Sequence, residues 1–272
     1  MDEGLIDLEG SRLNYRAAHG AGRSLVFLHG WASSSRMWLH EMQAFGGLHR
    51  CLALDLPGHG QSSNPPAAWY SLDNFVHVTR AWVGALQAAP AVLVGHSLGG
   101  TIAVQYALLH PDEVSALVLV NPVITGRLRP SLHWMYRPAP SRVIADLTRR
   151  LWPRLSTHVQ QALAANRLRL VPEGYLRRNL EDLTLASADS LLGSARAARS
   201  DLSPRLHEIH RPTLVVIGRR DRTVLPEDGR LAARRIPGAR LIELPTDHHP
   251  GDEAPEAFLG ALRAFLEQFP PA

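Results

Sequence analysis

The chain has 272 residues and a formal net charge of +4, from 25 acidic residues and 29 basic ones that are all arginine. A chain of this length buries enough apolar surface to fold without disulfides or structural metal, and its one cysteine, Cys51, lies in an apolar run that predicts a core position. A signal-peptide pattern and a run of 18 apolar residues are both missing from the sequence, and arginines on solvated helix faces explain the charge. We therefore expect a cytoplasmic protein, a monomer or homodimer, without nucleic-acid or membrane partners.

Short β-rich runs alternate with amphipathic helical runs up to about residue 122. In chain order the pairs are SLVFLHG and SRMWLHEMQAF, CLALDLPG and SLDNFVHVTRAWVGAL, and AVLVG and LGGTIAVQYALLH, followed by SALVLVNP. After residue 210 the rhythm returns with PTLVVIG, EDGRLAARRI, ARLIELP and APEAFLGALRAFLEQF. Strands that are nearly all apolar and separated by helices predict an α/β domain with a mostly parallel sheet and helices on both faces.

The segment 123–205 differs from its surroundings. It has no comparable strand run, and its 14 arginines outnumber its six acidic residues. We interpret it as a helical cap inserted into the α/β core, which divides the chain into core residues 1–122, cap residues 123–205 and core residues 206–272. Four bulky apolar residues of the cap are expected to line a substrate pocket, although packing of the cap onto the sheet explains each of them equally well: Trp134, Met135, Tyr136 and Trp152.

The segment Gly95-His96-Ser97-Leu98-Gly99 is a G-x-S-x-G sequence placed between a predicted strand and a predicted helix. A strand that reverses sharply into a helix brings backbone against backbone, so glycines on both sides of the serine avoid steric clashes. The helix would point its N-terminus at the serine, and the free N–H of Leu98 would face an oxyanion formed there. An ordinary turn can carry the same residues, but the strand, turn and helix in this order favour Ser97 as a nucleophile.

Five motifs occur in register with those of the α/β-hydrolase superfamily. They are LVFLHGW at 25–31, DLPGHGQS at 55–62, GHSLGG at 95–100, PTLVVIGRRD at 212–221 and DHHPGDEAPEAF at 247–258. The chain resembles this superfamily over nearly its whole length except the cap, and it is most similar to small bacterial carboxylesterases and their lactonase, pimeloyl-ester esterase and carbon–carbon hydrolase relatives. The resemblance implies that Ser97 attacks an acyl carbonyl to form an acyl-enzyme, which water then resolves.

The resemblance also implies a histidine base and a carboxylate that orients it. His248 precedes a proline by two positions and a glutamate by five, as in the family pattern, whereas His249 fails that spacing and stays the alternative. Asp247 stands where glycine normally precedes the histidine. Asp221, three residues after the strand run TLVVIG, gives the expected chain order of serine, acid and histidine.

Asp228 is the alternative acid, although its position suits a first-turn helix residue better. The resemblance implies that the second oxyanion donor is the backbone N–H of Trp31, which directly follows His29 and Gly30. His29 is expected to fix this loop rather than take part in the reaction.

A reaction of this kind needs no cofactor. The other histidines lack the spacing of metal ligands, and the chain has no phosphate loop or dinucleotide fingerprint. The resemblance implies hydrolysis of carboxylic esters or of lactones. The bulky apolar residues of the cap predict a preference for short to medium uncharged acyl chains. Carbon–carbon bond hydrolysis, perhydrolysis, thioesterase or lipase action and a non-catalytic ligand receptor on the same fold are the alternatives.

Overall fold

The computed structural model describes residues 1–127 and 175–268, with four isolated positions at 143, 147, 150 and 151. Eight strands form one sheet in the order β1-β2-β4-β3-β5-β6-β7-β8. The strands are β1 (Asp2–Leu8), β2 (Ser11–His19), β3 (Ser24–Leu28), β4 (Arg50–Leu54), β5 (Ala91–His96), β6 (Val114–Val120), β7 (Thr213–Gly218) and β8 (Arg240–Leu244). From β3 to β8 the strands are mutually parallel, while β2 pairs antiparallel with both β1 and β4.

Helices cover both faces of the sheet, as predicted. The described helices are α1 (Leu39–Phe45), α2 (Leu72–Ala85), α3 (Leu98–Leu109), α4 (Tyr175–Leu185), α5 (Ala188–Ala197), α6 (Pro226–Arg235), α7 (Pro250–Glu253) and α8 (Pro255–Leu266). One large buried cluster includes Trp82 of α2 and Ile102 of α3, and a second large cluster includes Phe45 of α1 and Phe258 of α8. The mostly parallel sheet between two helical layers confirms the predicted fold class. Cys51 is buried on β4, where burial raises the pKa of its thiol to about 12.

The antiparallel pair β1 and β2 at one edge is an element that the strand pattern did not indicate. Its tight turn is formed by Glu9 and Gly10, which have φ values of 51° and 72°. These left-handed conformations suit a two-residue hairpin, and they make Leu8 pair with Ser11. The signal in the sequence is the glycine at the turn between two alternating runs, LIDL and RLNY.

Between β6 and β7 the described residues form helices α4 and α5 and a 3-10 turn at Ser203–Glu208, with no strand among them. Ala197 and Leu202 are buried in the same core cluster as residues of α2 and α3. The last part of the predicted cap is therefore packed into the core, and the boundaries at 122 and 205 stay predictions. Among the described helices none is long and apolar enough to cross a bilayer.

Candidate active site

The carboxyl ends of the parallel strands meet at one edge of the sheet, and the predicted site residues follow those ends. Trp31 follows β3, Ser97 follows β5, Asp221 follows β7 and His248 follows β8. Ligand sites of open α/β sheets lie at this edge because the loops that connect strand to helix converge there. The topology therefore brings together residues that are up to 217 positions apart in the sequence.

Ser97 lies on a sharp turn between β5 and α3. Its backbone has φ 52° and ψ −115°, and its N–H donates to the carbonyl oxygen of Val120 at 3.0 Å. A Cβ added at Gly95 would lie 2.3 Å from the carbonyl oxygen of Gly99, and one added at Gly99 would lie 2.1 Å from that of Leu28. Only glycine fits at either position, for the steric reason expected from the sequence.

Asp221 and His248 form a buried acid–histidine pair. Asp221 Oδ2 lies 2.7 Å from His248 Nδ1, and Oδ1 accepts from the N–H groups of Thr223 at 2.7 Å and Val224 at 2.9 Å. Burial alone would raise the pKa of Asp221, but the charge and hydrogen bond of His248 and the two backbone donors hold it below its ordinary value. Since a carboxylate only accepts, Nδ1 donates, which leaves Nε2 of a neutral imidazole free to take a proton.

The backbone on both sides of His248 is fixed by one side chain. Glu253 accepts a hydrogen bond from the N–H of Asp247 at 2.7 Å and another from the N–H of His249 at 3.1 Å. This contact is the physical reason why a glutamate five residues after the histidine matters. Within the described residues no hydrogen bond joins Ser97 Oγ to His248, and such contacts often tighten only when substrate binds.

His249 lies on the other side of this loop. Its ring centre is 4.7 Å from that of His96, and its Nδ1 is 4.0 Å from Asp252 Oδ2. It lines a small cavity together with the buried Glu41 of α1. Burial and the neighbouring imidazoles hold the pKa of His249 well below its ordinary value. The structure thus pairs Asp221 with His248 rather than with His249.

Asp228, the alternative acid, supports a different loop. Its Oδ2 accepts from the N–H groups of Ile124 at 2.7 Å and Thr125 at 3.0 Å, and its Oδ1 accepts from Thr125 Oγ1 at 2.8 Å. These bonds hold the chain as it leaves β6. Burial raises the pKa of Asp228. Asp228, at the start of α6, therefore holds the loop that follows β6 in place.

The loop after β3 passes directly over the turn at Ser97. A Cβ on Gly30 would lie 3.2 Å from the Cβ of Ser97. His29 fixes the loop, because its Nδ1 donates to the carbonyl oxygen of Gly30 at 2.7 Å and its Nε2 accepts from the N–H of Leu56 at 3.0 Å. Burial lowers the pKa of His29, so its ring stays neutral in this role. The backbone of Trp31 continues this loop, and Leu98 begins α3 directly after Ser97.

Two further residues that position the histidine loop, residues 246–253, were not found by sequence reasoning. Asn121, directly after β6, donates from Nδ2 to the carbonyl oxygen of His248 at 2.8 Å and accepts from the N–H of Gly218 at 2.8 Å. Arg222 donates from its backbone N–H and its Nε to Asp247 at 2.8 and 2.5 Å. Asp247, which replaces the usual glycine, thus ties the loop that carries His248 to the loop that carries Asp221. A polar residue directly after an apolar strand was the available signal for Asn121.

Three imidazoles meet at the site. The ligand atoms of His96, His248 and His249 lie within 4.8 Å of one another. His96 Nε2 and His248 Nδ1 are already held in hydrogen bonds to a carbonyl and a carboxylate. These hydrogen bonds explain why the three histidines lie together, since they fix the histidine loop. That the protein needs no metal stays a prediction.

The four bulky residues predicted to line a pocket, Trp134, Met135, Tyr136 and Trp152, lie outside the described residues. For Ser97, Asp221, His248, Trp31 and Leu98 the geometry above is compatible with the predicted roles. Their participation in a reaction stays a prediction.

Comparison with known proteins agrees with this architecture. Residues 23–255 match the family model of the alpha/beta hydrolase fold, and the chain belongs to that family. It is 28% identical over 254 residues to the pimeloyl-acyl-carrier protein methyl ester esterase of Neisseria meningitidis serogroup C, with 91% of this chain and 94% of the relative covered.

A second relative and a solved structure extend the comparison. The chain is 26% identical over 274 residues to the 2-(acetamidomethylene)succinate hydrolase of Mesorhizobium japonicum, with 96% of this chain and 94% of the relative covered. The crystal structure of the enol-lactonase from Burkholderia xenovorans superimposes with a TM-score of 0.78 at 25% identity, covering 97% of this chain and all of that one.

Proposed function

We propose that this α/β hydrolase is a serine esterase that cleaves carboxylic esters, or lactones, with short to medium acyl chains. The observation that carries the proposal is the 2.7 Å contact between Asp221 and His248 at the same edge of the sheet as the sharply turned Ser97. A serine is a weak nucleophile unless a base removes its proton, and an imidazole held by a buried carboxylate supplies that base.

The proposed reaction runs in two stages. Ser97 Oγ attacks the acyl carbonyl carbon while its proton passes to His248 Nε2, and the oxyanion accepts hydrogen bonds from the N–H groups of Trp31 and Leu98. The imidazolium, stabilised by Asp221, then gives the proton to the departing alcohol as the carbon–oxygen bond breaks. A water molecule then attacks the acyl carbon while His248 Nε2 takes one of its protons. The bond between the acyl carbon and Ser97 Oγ breaks, the acid is released, and His248 returns the proton to Ser97 Oγ.

The named relatives support an acyl substrate without fixing which one. They include a methyl ester esterase and an enol-lactonase, whose reactions both break an acyl carbon–oxygen bond. A serine rather than an aspartate at residue 97 also favours attack on acyl carbonyls. The preference for uncharged chains rests on the apolar side chains of the cap segment, since each buried methylene gains about 0.8 kcal/mol only while apolar space is left to fill.

Turnover of 4-nitrophenyl esters from acetyl to hexadecanoyl tests the proposal. We expect kcat/KM to peak at a short or medium chain and a lactone panel to separate lactonase from esterase activity. An optimum at the longest chain would identify a lipase. Cleavage of an anionic diketone without any ester turnover would identify a carbon–carbon hydrolase, and a single round of acylation without release would identify a receptor.

A further inference from the structure

Helix α4 contacts the loops on both sides of the candidate site. Three of its charged residues share one face of the helix, because Glu181 and Asp182 follow Arg178 by three and four positions. The helix belongs to the segment predicted as a cap, and the role expected of a cap is to control how substrate reaches the site. Its contacts instead reach the oxyanion loop, defined as residues 29–36, and the histidine loop, defined as residues 246–253.

On the oxyanion side the central contact is fully buried. Ser34 Oγ donates to Asp182 Oδ2 at 2.9 Å, and the side chain of Asp182 has no exposed surface. Arg36 adds ion pairs to Asp182 at 3.4 Å and to Glu181 at 2.8 Å. Burial raises the pKa of Asp182 to about 6, against the opposing effects of the Ser34 hydrogen bond and the Arg36 charge. A buried carboxylate with these partners is costly to disrupt from either side.

The same loop has a second attachment to the cap segment. The indole Nε1 of Trp31 donates to the carbonyl oxygen of Leu191 in α5 at 2.7 Å. Three residues further along, Ser34 reaches α4, and the N–H of Ser35 donates to Asp55 Oδ1 at 2.6 Å. The stretch that carries the proposed oxyanion donor is therefore held between two cap helices and the core.

On the histidine side the contact is a two-pronged ion pair. Arg178 Nη1 and Nη2 lie 3.0 and 2.7 Å from the two carboxylate oxygens of Asp252. Both side chains are largely buried, at 16% and 22% exposure. The N–H of Asp252 donates to the carbonyl oxygen of His249, the residue that follows His248 and directly precedes α7. A planar guanidinium on a carboxylate fixes direction as well as distance.

We propose that Arg178 and Asp182 are positioning residues, which hold the oxyanion loop and the histidine loop in register through one helix. This inference rests on the proposed function. Helix α4 then helps to align the N–H of Trp31 with His248. A misplacement of about 1 Å at a reacting group costs on the order of 10²-fold in rate, so modest loosening of either loop has a measurable effect.

The test compares Asp182→Ala, Asp182→Asn and Arg178→Ala with Arg80→Ala. Arg80 is the control, because its Nε and Nη2 also form an arginine–carboxylate ion pair, at 2.8 and 2.7 Å from Glu113 Oε1, on the surface and at the opposite end of β6 from the site. We expect the two alanine variants at 178 and 182 to lose roughly 10-fold in kcat while KM for 4-nitrophenyl acetate stays within about twofold. Asp182→Asn, which still accepts from Ser34, should recover most of the loss, and Arg80→Ala should match the wild type.

Hydrogen exchange provides a readout that does not depend on activity. Backbone amides in 29–36 should exchange faster in Asp182→Ala, and those in 246–253 faster in Arg178→Ala, while the strands β3 to β7 keep their protection. If Asp182→Ala does not fold, Ser34→Ala breaks the same hydrogen bond and leaves the ion pair with Arg36 in place.

Two results would overturn the inference: wild-type kcat in both alanine variants, or an exchange increase spread evenly over the sheet, which indicates general destabilisation. If the wild type turns over no ester, the proposed function fails, and the exchange data still decide whether α4 holds the two loops.

Discussion

His96 Nε2 donates a hydrogen bond of 2.9 Å to the carbonyl oxygen of His248. The residue next to Ser97 in the chain therefore holds the backbone of the proposed base. Burial, followed by the charge of His248, lowers the pKa of His96 to about 3, so its ring stays neutral and keeps this donor. The strand–helix turn and the histidine loop are thus fastened to each other independently of the Asp221 side chain.

Replacing Ser97 by alanine should abolish ester hydrolysis. The side chain is small, so the fold should persist, while kcat should fall by roughly 10⁴-fold or more. Circular dichroism checks the fold, and a fluorophosphonate adduct mapped by mass spectrometry should identify Ser97 in the wild type. A pure Ser97→Ala preparation with more than a tenth of the wild-type rate would exclude the serine mechanism.

His248→Ala and His249→Ala should differ strongly in activity. Of the two histidines, His248 is the one that contacts Asp221, so its loss should approach that of Ser97→Ala, whereas His249→Ala should cost less than about 10-fold in kcat. Steady-state kinetics on 4-nitrophenyl acetate distinguishes them. An inactive His249→Ala variant beside an active His248→Ala variant would reverse the assignment.

Asp221→Asn should reduce kcat by roughly 10³ to 10⁴-fold, because an amide donor facing Nδ1 favours the tautomer in which Nε2 carries the proton. Asp228→Asn is the matched comparison. It weakens hydrogen bonds to Ile124 and Thr125, so it should lower the melting temperature more than it lowers kcat. An inactive Asp228→Asn variant with the melting temperature of the wild type would show that Asp228 takes part in the reaction.

Glu41→Gln should make the protein more stable at alkaline pH. Burial raises the pKa of Glu41 from 4.5 to about 7. The folded state therefore binds the proton more tightly than the unfolded chain, and this stabilisation is complete below pH 4.5 and lost as the pH rises through 7. Glutamine cannot ionise, so the variant should gain about 3 kcal/mol of unfolding free energy relative to wild type above pH 8 and little near pH 4.

Urea denaturation at pH 5 and pH 8 measures this difference. Glu256→Gln, at an exposed position of α8, controls for the loss of one negative charge. A Glu41→Gln variant whose stability relative to wild type is the same at both pH values would contradict the prediction.

The parallel strands could be predicted because the residues of each strand show that it is buried. The runs SLVFL and TLVVIG are almost entirely apolar, as strands buried on both faces must be. The β1–β2 hairpin lies at the sheet edge and leaves Leu5 64% exposed, so its pattern is weaker. The motif around Ser97 could also be predicted, because its glycines avoid steric clashes that are mostly local. A Cβ at Gly95 would clash with Gly99, and one at Gly99 would clash with the end of β3.

The residues that bond to the backbone carbonyl of His248 could not be predicted in the same way. Asn121 and His96 are 127 and 152 residues from it in the chain, and no local pattern records which loops meet at the sheet edge. The charges of α4 are spaced as on any solvated helix face. Only the folded structure shows that Asp182 is buried against Ser34.

The backbone of Ser97 makes stability and chemistry compete at a single residue. A φ of 52° with ψ of −115° is easy for glycine and costs a residue with a Cβ on the order of 1 to 3 kcal/mol. Ser97→Gly should therefore give an inactive protein with a higher melting temperature than the wild type. Directed evolution for thermostability alone would tend to erase the serine, so any stability screen on this chain needs an activity readout beside it.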